Sequence, residues 1–265
     1  MQSDSAYKDV VDATNMAAYA RTGTVDWYKD FEFILKPEAV ILKAIGPAIK
    51  DKKLLDIGIG GGRTTKFLLE ISSDYTGIDY TADFITAARQ RFPKANLLCC
   101  DARNLRGFDD ATFDFVLFSF NAIDYMIHED RLSCLAEINR VLKPGGWFMF
   151  STHNRDYRHF DKYPWQERRF DLNHLKSCLH TFVHLPKHQR MKKYEVRTNE
   201  YAIINDNAHG VSLLAYYISF AAQVRQLAEA GFVSVEGYDM DGQPTQGDVN
   251  HPWIYYLARR AVLVF

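Results

Sequence analysis

The chain has 265 residues, 47 % of them hydrophobic, enough to bury one sizeable α/β core. With 32 Lys and Arg against 33 Asp and Glu the formal net charge is −1, so the chain as a whole is not a polybasic binder of nucleic acid or of membrane surfaces. Cys99, Cys100, Cys134 and Cys178 form no C-x-x-C pair and no zinc-like spacing, which predicts reduced, mostly buried thiols, a cytoplasmic setting and no metal site.

The amino-terminal stretch 1–36 is aromatic, with Tyr7, Tyr19, Trp27, Tyr28 and Phe31, and is expected to wall one side of a ligand site. It lacks a basic segment followed by an apolar one, so no signal peptide is expected, and no apolar run approaches a membrane span. Pro37 to Ile49 reads as a helix with proline at its start, and Lys53 to Ile57 as the first strand. That strand runs into Asp56-Ile57-Gly58-Ile59-Gly60-Gly61-Gly62-Arg63. The glycines remove Cβ atoms and permit positive φ, as a tight strand-to-helix turn at a nucleotide-type ligand requires. A dinucleotide fingerprint begun at Gly58 needs a glycine where Arg63 stands, and a P-loop needs a lysine before Thr64, so neither phosphate-binding pattern fits.

Thr64 to Ile71 follows as a helix, with Phe67, Leu68 and Ile71 at helical spacing. Tyr75 to Asp79 is a second strand ending in an acid, Ala82 to Phe92 a helix closed by Pro93, and Ala95 to Ala102 a third strand with Asp101 at its carboxyl end. Phe113 to Asn121 is the fourth strand. Asp130 to Leu142 repeats its apolar residues with helical period until Pro144-Gly145-Gly146 forces a turn, and Trp147 to Thr152 is a buried fifth strand. The alternation predicts a doubly wound, mostly parallel sheet with helices on both faces and ligands at the carboxyl ends of its strands. Asp56, Asp79, Asp101, Asn121 and His153 all fall at such ends.

After His153 the alternation breaks. Asn154 to Tyr217 is too long for an ordinary connection and contains little of the apolar periodicity of a core helix. Tyr194 to Ile204 and Val211 to Ile218 read as a β-hairpin around Asn205 to Gly210. Ser219 to Ala230 is again a helix, and Phe232 to Tyr238 and Trp253 to Arg260 complete seven strands. The expected organisation is an amino-terminal lid (1–36), a core (37–153), a substrate cap inserted after the fifth strand (154–217) and the rest of the core (218–265).

The series Asp-x-Gly-x-Gly-x-Gly from Asp56 to Gly62, with Asp79, Asp101, the Phe113 to Asn121 strand and Arg140-Val141-Leu142-Lys143-Pro144-Gly145-Gly146 in order, resembles class I S-adenosylmethionine-dependent methyltransferases over residues 37–153. The resemblance implies S-adenosyl-L-methionine as cofactor and S-adenosyl-L-homocysteine as product. It implies cofactor contacts from Asp56, Gly58, Gly60, Gly62, Asp79, Tyr80, Asp101, Ala102, Phe118 and, through its ring, Tyr19. In that pattern Asp79 accepts from the ribose hydroxyls, Asp101 from the adenine amine, and Asp56 holds the glycine-loop amides or the methionine ammonium. Aromatic faces of Tyr7, Tyr19, Trp27 or Tyr28 would attract a sulfonium, with plain packing as the alternative. Arg63 either reaches the methionine carboxylate or lies solvated, the latter favoured.

An acceptor amine or hydroxyl must also shed a proton, a task for histidine. His153, Asn121 and Tyr125 form the expected catalytic set, with Asp124 beside Tyr125 able to bind a cation. His128 reads as a helix cap or surface residue and His209 as an exposed hairpin tip. Arg155, Arg158, Lys162, Arg168, Arg169, Lys187, Arg190, Lys192 and Lys193 are read, with the acids among them, as a solvated face. Tyr216, Tyr217 and Trp253 supply aromatic walls or core. The expected acceptor is nitrogen or oxygen of a small molecule or peptide, with no nucleic acid and no membrane partner. An RNA or protein methyltransferase, and a non-catalytic cofactor-binding partner subunit, are the alternatives.

Overall fold

A computed structural model describes residues 4–19, 22–166, 171–205 and 213–262. Its strands are β1 (Leu54–Ile57), β2 (Tyr75–Asp79), β3 (Asn96–Cys99), β4 (Phe113–Phe118), β5 (Leu142–Asn154), β6 (Val196–Arg197), β7 (Tyr201–Asn205), β8 (Leu214–Ile218), β9 (Phe232–Tyr238), β10 (Pro244–Thr245) and β11 (Trp253–Arg260). The helices are α1 (Asp4–Tyr19), α2 (Thr22–Tyr28), α3 (Lys36–Ile49), α4 (Thr65–Ile71), α5 (Ala82–Arg91), α6 (His128–Val141), α7 (Leu172–Met191) and α8 (Phe220–Glu229).

The sheet runs β10-β9-β11-β5-β4-β1-β2-β3, with β1 to β5 parallel and β11 antiparallel to both β5 and β9. Strand order reverses at β1, which lies between β2 and β4, and a ligand crevice opens beyond such a switch point. Because strand side chains alternate, Leu55, Val116 and Phe148 meet α6 and α8 on one face, while Leu54, Phe115 and Met149 meet α3, α4 and α5 on the other. Both faces are covered, which is why these strands read as continuous apolar runs.

The seven expected strands are present, and the sheet has more. The 13 residues of β5 outrun the six of β4, leaving a free edge at its carboxyl end. There β8 pairs in parallel, Tyr217 opposite His153, and brings β7 and β6 with it. The Tyr201–Asn205 and Leu214–Ile218 arms form the hairpin; its tip, with His209, lies outside the described residues, as do Arg168 and Arg169. Asn15 fastens α1 to this hairpin, donating to Leu214 O and accepting from Leu214 N, and donates to Tyr125 O as well.

Two expectations are corrected. The inserted segment holds a 20-residue helix, α7, whose apolar residues do recur at helical spacing but face outward, so it is not a core helix. The thiols are not mostly buried: Cys134 alone is, because Cys99 and Cys100 lie on the short edge strand β3 and just beyond it, and Cys178 is half-buried on α7.

Candidate cofactor and acceptor site

A cavity of about 570 Å³ lies at the carboxyl ends of β1, β2, β4 and β5, with α1 and α2 as its far wall. That is within the range of small-molecule sites. Gly58 and Gly60 both line it with φ of +68° and +53°. A Cβ on Gly60 would meet nothing within 4 Å, so the missing side chain leaves open space over the turn. Gly61 serves packing: a Cβ there would come within 2.5 Å of Lys29 Cα. Arg91 locks this contact, donating to Lys29 O, Phe31 O and Gly61 O. Gly62 does not reach the cavity; it makes room for the Phe92 ring.

Asp79 ends β2 with its carboxylate at the cavity, accepting from Gly60 N at 2.9 Å and Thr81 N at 2.8 Å. Burial pushes its pKa up to about 6 against the pull of those two amides, so it is an anion at neutral pH. It retains lone pairs for a pair of donor hydroxyls. Tyr80, Asp101, Ala102 and Phe118 also line the cavity. Burial acts to raise the Asp101 pKa, but Arg103 bonds it through both oxygens and holds it below the usual carboxylate range. Arg103 also binds Asp12 of α1 and Asp130 of α6, each at 2.7 Å.

Asp56 belongs to the scaffold. It is buried away from the cavity, accepts from Thr64 Oγ1 and Tyr75 Oη, and burial raises its pKa to about 7. Arg63 is not solvated: its guanidinium clasps Glu38 at 2.6 and 2.7 Å and donates to Phe33 O and Ser119 Oγ. Glu38, fully buried, also accepts from Leu35 N, Tyr255 Oη and Ser119 Oγ. The strand-to-helix turn is thus pinned to α3 and β11 by a pair separated in sequence. Tyr19 lies in α1, and its side chain is outside the described residues. Trp27 and Tyr28 line the cavity, whereas Tyr7 packs beside Val11 in the cluster under β8.

His153 lines the cavity at the end of β5. Its Nδ1 lies 2.7 Å from Asp124 Oδ2, which also accepts from the His153 backbone N. The other Asp124 oxygen accepts from Arg131 Nη1 and Thr152 Oγ1, both at 2.6 Å. Asp124 is therefore not open to a cationic substrate; it is an ion pair's buried half. A carboxylate only accepts, so in this contact Nδ1 is the donor. Tyr125 sits edge-on to this ring at 6.2 Å and Trp253 at 6.1 Å, both in the cavity wall.

Asn121 does not join them. Phe120 and Asn121 both take left-handed φ, the Asn121 backbone N donates to Ser151 Oγ, and its buried amide has no partner among the described residues and is absent from the cavity wall. His128 is the half-buried first residue of α6 and not its cap: it stacks on Tyr201 at 4.2 Å and meets Tyr216 Oη at 2.8 Å. Sequence reasoning misses the Asp124–Arg131 pair, Glu38, Arg103 and the lining residues Asp12, Met16 and Phe120. Their partners are remote in sequence, and no spacing announces them.

An open Gly60 turn beside an acceptor-only carboxylate at a switch point fits an adenosyl ligand. Residues 55–150 match the family model described as a methyltransferase domain. The chain carries a class I S-adenosylmethionine-dependent methyltransferase domain, and S-adenosylmethionine is its cofactor. It is similar to the ubiquinone biosynthesis O-methyltransferase of Hydrogenovibrio crunogenus, 30 % identical over 118 residues (43 % of this chain, 47 % of that one). It is similar as well to the demethylmenaquinone methyltransferase of Staphylococcus epidermidis, 36 % identical over 103 residues (37 % and 41 %). The match thus spans less than half of either relative. In fold it is similar to the Burkholderia thailandensis 1,6-didemethyltoxoflavin-N1-methyltransferase, solved with its substrate and S-adenosylhomocysteine, at 14 % identity and a TM-score of 0.60 over 99 % of this chain and 92 % of that one.

Proposed function

We propose that the protein methylates a hydroxyl, or an amine, of a small and largely apolar molecule, with His153 taking the acceptor's proton. The observation that carries this is the His153 Nδ1 to Asp124 Oδ2 contact of 2.7 Å inside the cavity wall. The cofactor, when bound, supplies a methyl group on a sulfonium. Asp79, Gly58 and Gly60 would hold its adenosyl end, with Tyr80, Ala102 and Phe118 around them. Trp27, Tyr28, Phe120 and Trp253 would exclude water from the acceptor end, where orientation of the two reactants carries much of the rate. His153 Nε2 would accept the proton, and Asp124 would stabilise the resulting imidazolium and keep the ring oriented.

The cavity's charge supports a small neutral acceptor over RNA. Both arginines among its described lining residues are neutralised, Arg63 by Glu38 and Arg103 by Asp12, Asp101 and Asp130. Similarity to a methyltransferase named for ubiquinone biosynthesis and to one named for demethylmenaquinone makes phenolic quinol precursors the first acceptors to try. The test is transfer of labelled methyl from S-adenosylmethionine to a panel of phenols, hydroxyquinols and aromatic amines. A His153→Gln variant should lose roughly 10² to 10⁴ in rate while binding S-adenosylhomocysteine normally. Binding with no transfer to any acceptor would mark a non-catalytic subunit, and an undiminished His153→Gln rate would remove the base.

A further inference from the structure

Helix α7 is built inside out. Leu172, Leu175, Leu179, Phe182 and Val183 fall on one helical face, and all five are 63–77 % exposed. The opposite face turns His174, Cys178, Thr181 and His188 toward the protein: Thr181 is buried, and His188 Nδ1 lies 2.9 Å from Asn205 Oδ1. A surface helix of a globular domain does the reverse, with its apolar stripe on the core. A contiguous stripe of this kind marks an interaction surface.

Charge decides what covers it. From Leu172 to Tyr194 there is no Asp or Glu, while Lys176, Lys187, Arg190, Lys192 and Lys193 supply five cations. At 100° per residue Lys176 and Lys187 border the stripe beside Val183, and Arg190 extends it at the carboxyl end. Lys176 and Arg190 are exposed, so their aliphatic stems can lie along the apolar face with the charges outermost. Trp165, half exposed in the 3-10 turn Pro164–Gln166, stacks on Tyr163 at 4.6 Å. A second copy is disfavoured, because two such helices would meet with three cations each and no acid between them. The near-zero net charge of the whole chain conceals this local excess.

We propose that α7 docks the protein on an anionic lipid bilayer, its apolar stripe at the headgroup boundary and its cations on lipid phosphates. Among the described residues no helix is long and apolar enough to cross a membrane, so the contact is with the surface. No α7 residue lines the cavity, and docking leaves the cofactor site untouched.

The test is co-sedimentation of the full chain with vesicles of phosphatidylcholine alone and of phosphatidylcholine mixed with phosphatidylglycerol. The protein should pellet with the mixed vesicles, less at high salt, and stay in solution with phosphatidylcholine alone. Leu179→Gln with Phe182→Gln should abolish pelleting. Lys176→Ala and Arg190→Ala together should weaken it about 25-fold, each cation contributing about fivefold near an anionic surface. Unchanged S-adenosylhomocysteine affinity shows each variant folded. Failure to pellet with mixed vesicles, or pelleting indifferent to the glutamines, overturns the proposal. So does a concentration-dependent dimer that the glutamine substitutions dissolve, which assigns the stripe to a second copy.

Discussion

Replacing Asp124 by Asn keeps the shape and removes one charge, and the geometry sets what is lost. All four contacts to the carboxylate come from donors: Arg131 Nη1, Thr152 Oγ1, the His153 backbone N and His153 Nδ1. An amide has one accepting oxygen and presents N–H groups to the donors on its other side, so one pair of contacts is broken in either orientation. Arg131, fully buried, also loses its counter-charge. Breaking a buried pair costs about 3–5 kcal/mol. Arg131 keeps Gln223 Oε1, Gln226 Oε1 and Ile123 O, and lies 4.5 Å from the Tyr216 ring, which places the loss near the lower end, about 3 kcal/mol. For a chain of this size that is a fall of about 6–12 °C in melting temperature. Urea titration gives the free energy, and nitrogen NMR of labelled histidine gives the tautomer: Nδ1–H for His153 in the native protein, a mixture in the variant. Adding Arg131→Gln to Asp124→Asn should restore part of the loss, since the unpaired charge is then gone. An Asp124→Asn protein within about 0.5 kcal/mol of native would refute the ion-pair reasoning. A native His153 carrying its proton on Nε2 would refute the base assignment.

Three other perturbations follow from the same coordinates. S-adenosylhomocysteine affinity should be flat above pH 6 and fall about tenfold per unit below it, as Asp79 takes up a proton and ceases to accept from two hydroxyls. Asp79→Asn should bind roughly 10²-fold more weakly, about two charged hydrogen bonds' worth, and lose the pH dependence; calorimetry showing native affinity in this variant would sink the ribose role. Asp56 has a folded pKa raised to about 7, so the folded state holds its proton where the unfolded chain has released it. Its contribution is therefore greatest below the unfolded value and is lost as pH rises toward 7, and the stability of the native protein relative to Asp56→Asn should fall by about 3 kcal/mol from pH 5 to 8. Equal differences at the two pH values would contradict it. Gly61→Ala drives a methyl into the Lys29 backbone and should destabilise by about 1–3 kcal/mol by pushing the segment after α2 off the glycine turn. A denaturation midpoint equal to the native one would show that the segment gives way freely.

The proposed cofactor half of the site is legible along the chain because its determinants are local. A strand, a glycine turn and a helix are contiguous, and the acids at strand ends are placed by the two-residue alternation of buried strands, so Asp79, Gly58 and Gly60 stand out before any folding is considered. The same locality misleads where a side chain answers to a distant partner. Asp56 and Asp79 look equivalent in sequence, yet Thr64 and Tyr75 take the first into the scaffold and two amides aim the second at the cavity. Arg63 looks like a solvated helix residue until Glu38, 25 positions earlier, folds beneath it.

The acceptor half is decided in space. His153 can be located from the end of β5, but only the return of the 121–125 loop beneath it supplies Asp124, and only α6 supplies Arg131 to pair with that carboxylate. The orientation of α7 is likewise invisible in one dimension. A helical apolar stripe reads the same whether it faces a core or the outside, and which side the protein occupies shows only in the burial of Thr181 and the contact of His188 with Asn205 of the hairpin. Sequence alone determined the fold class and the cofactor, because both rest on short-range pattern. Tertiary structure decided which charges are neutralised, which histidine has its proton placed, and which apolar face is left uncovered, because each depends on groups the chain brings together only when folded.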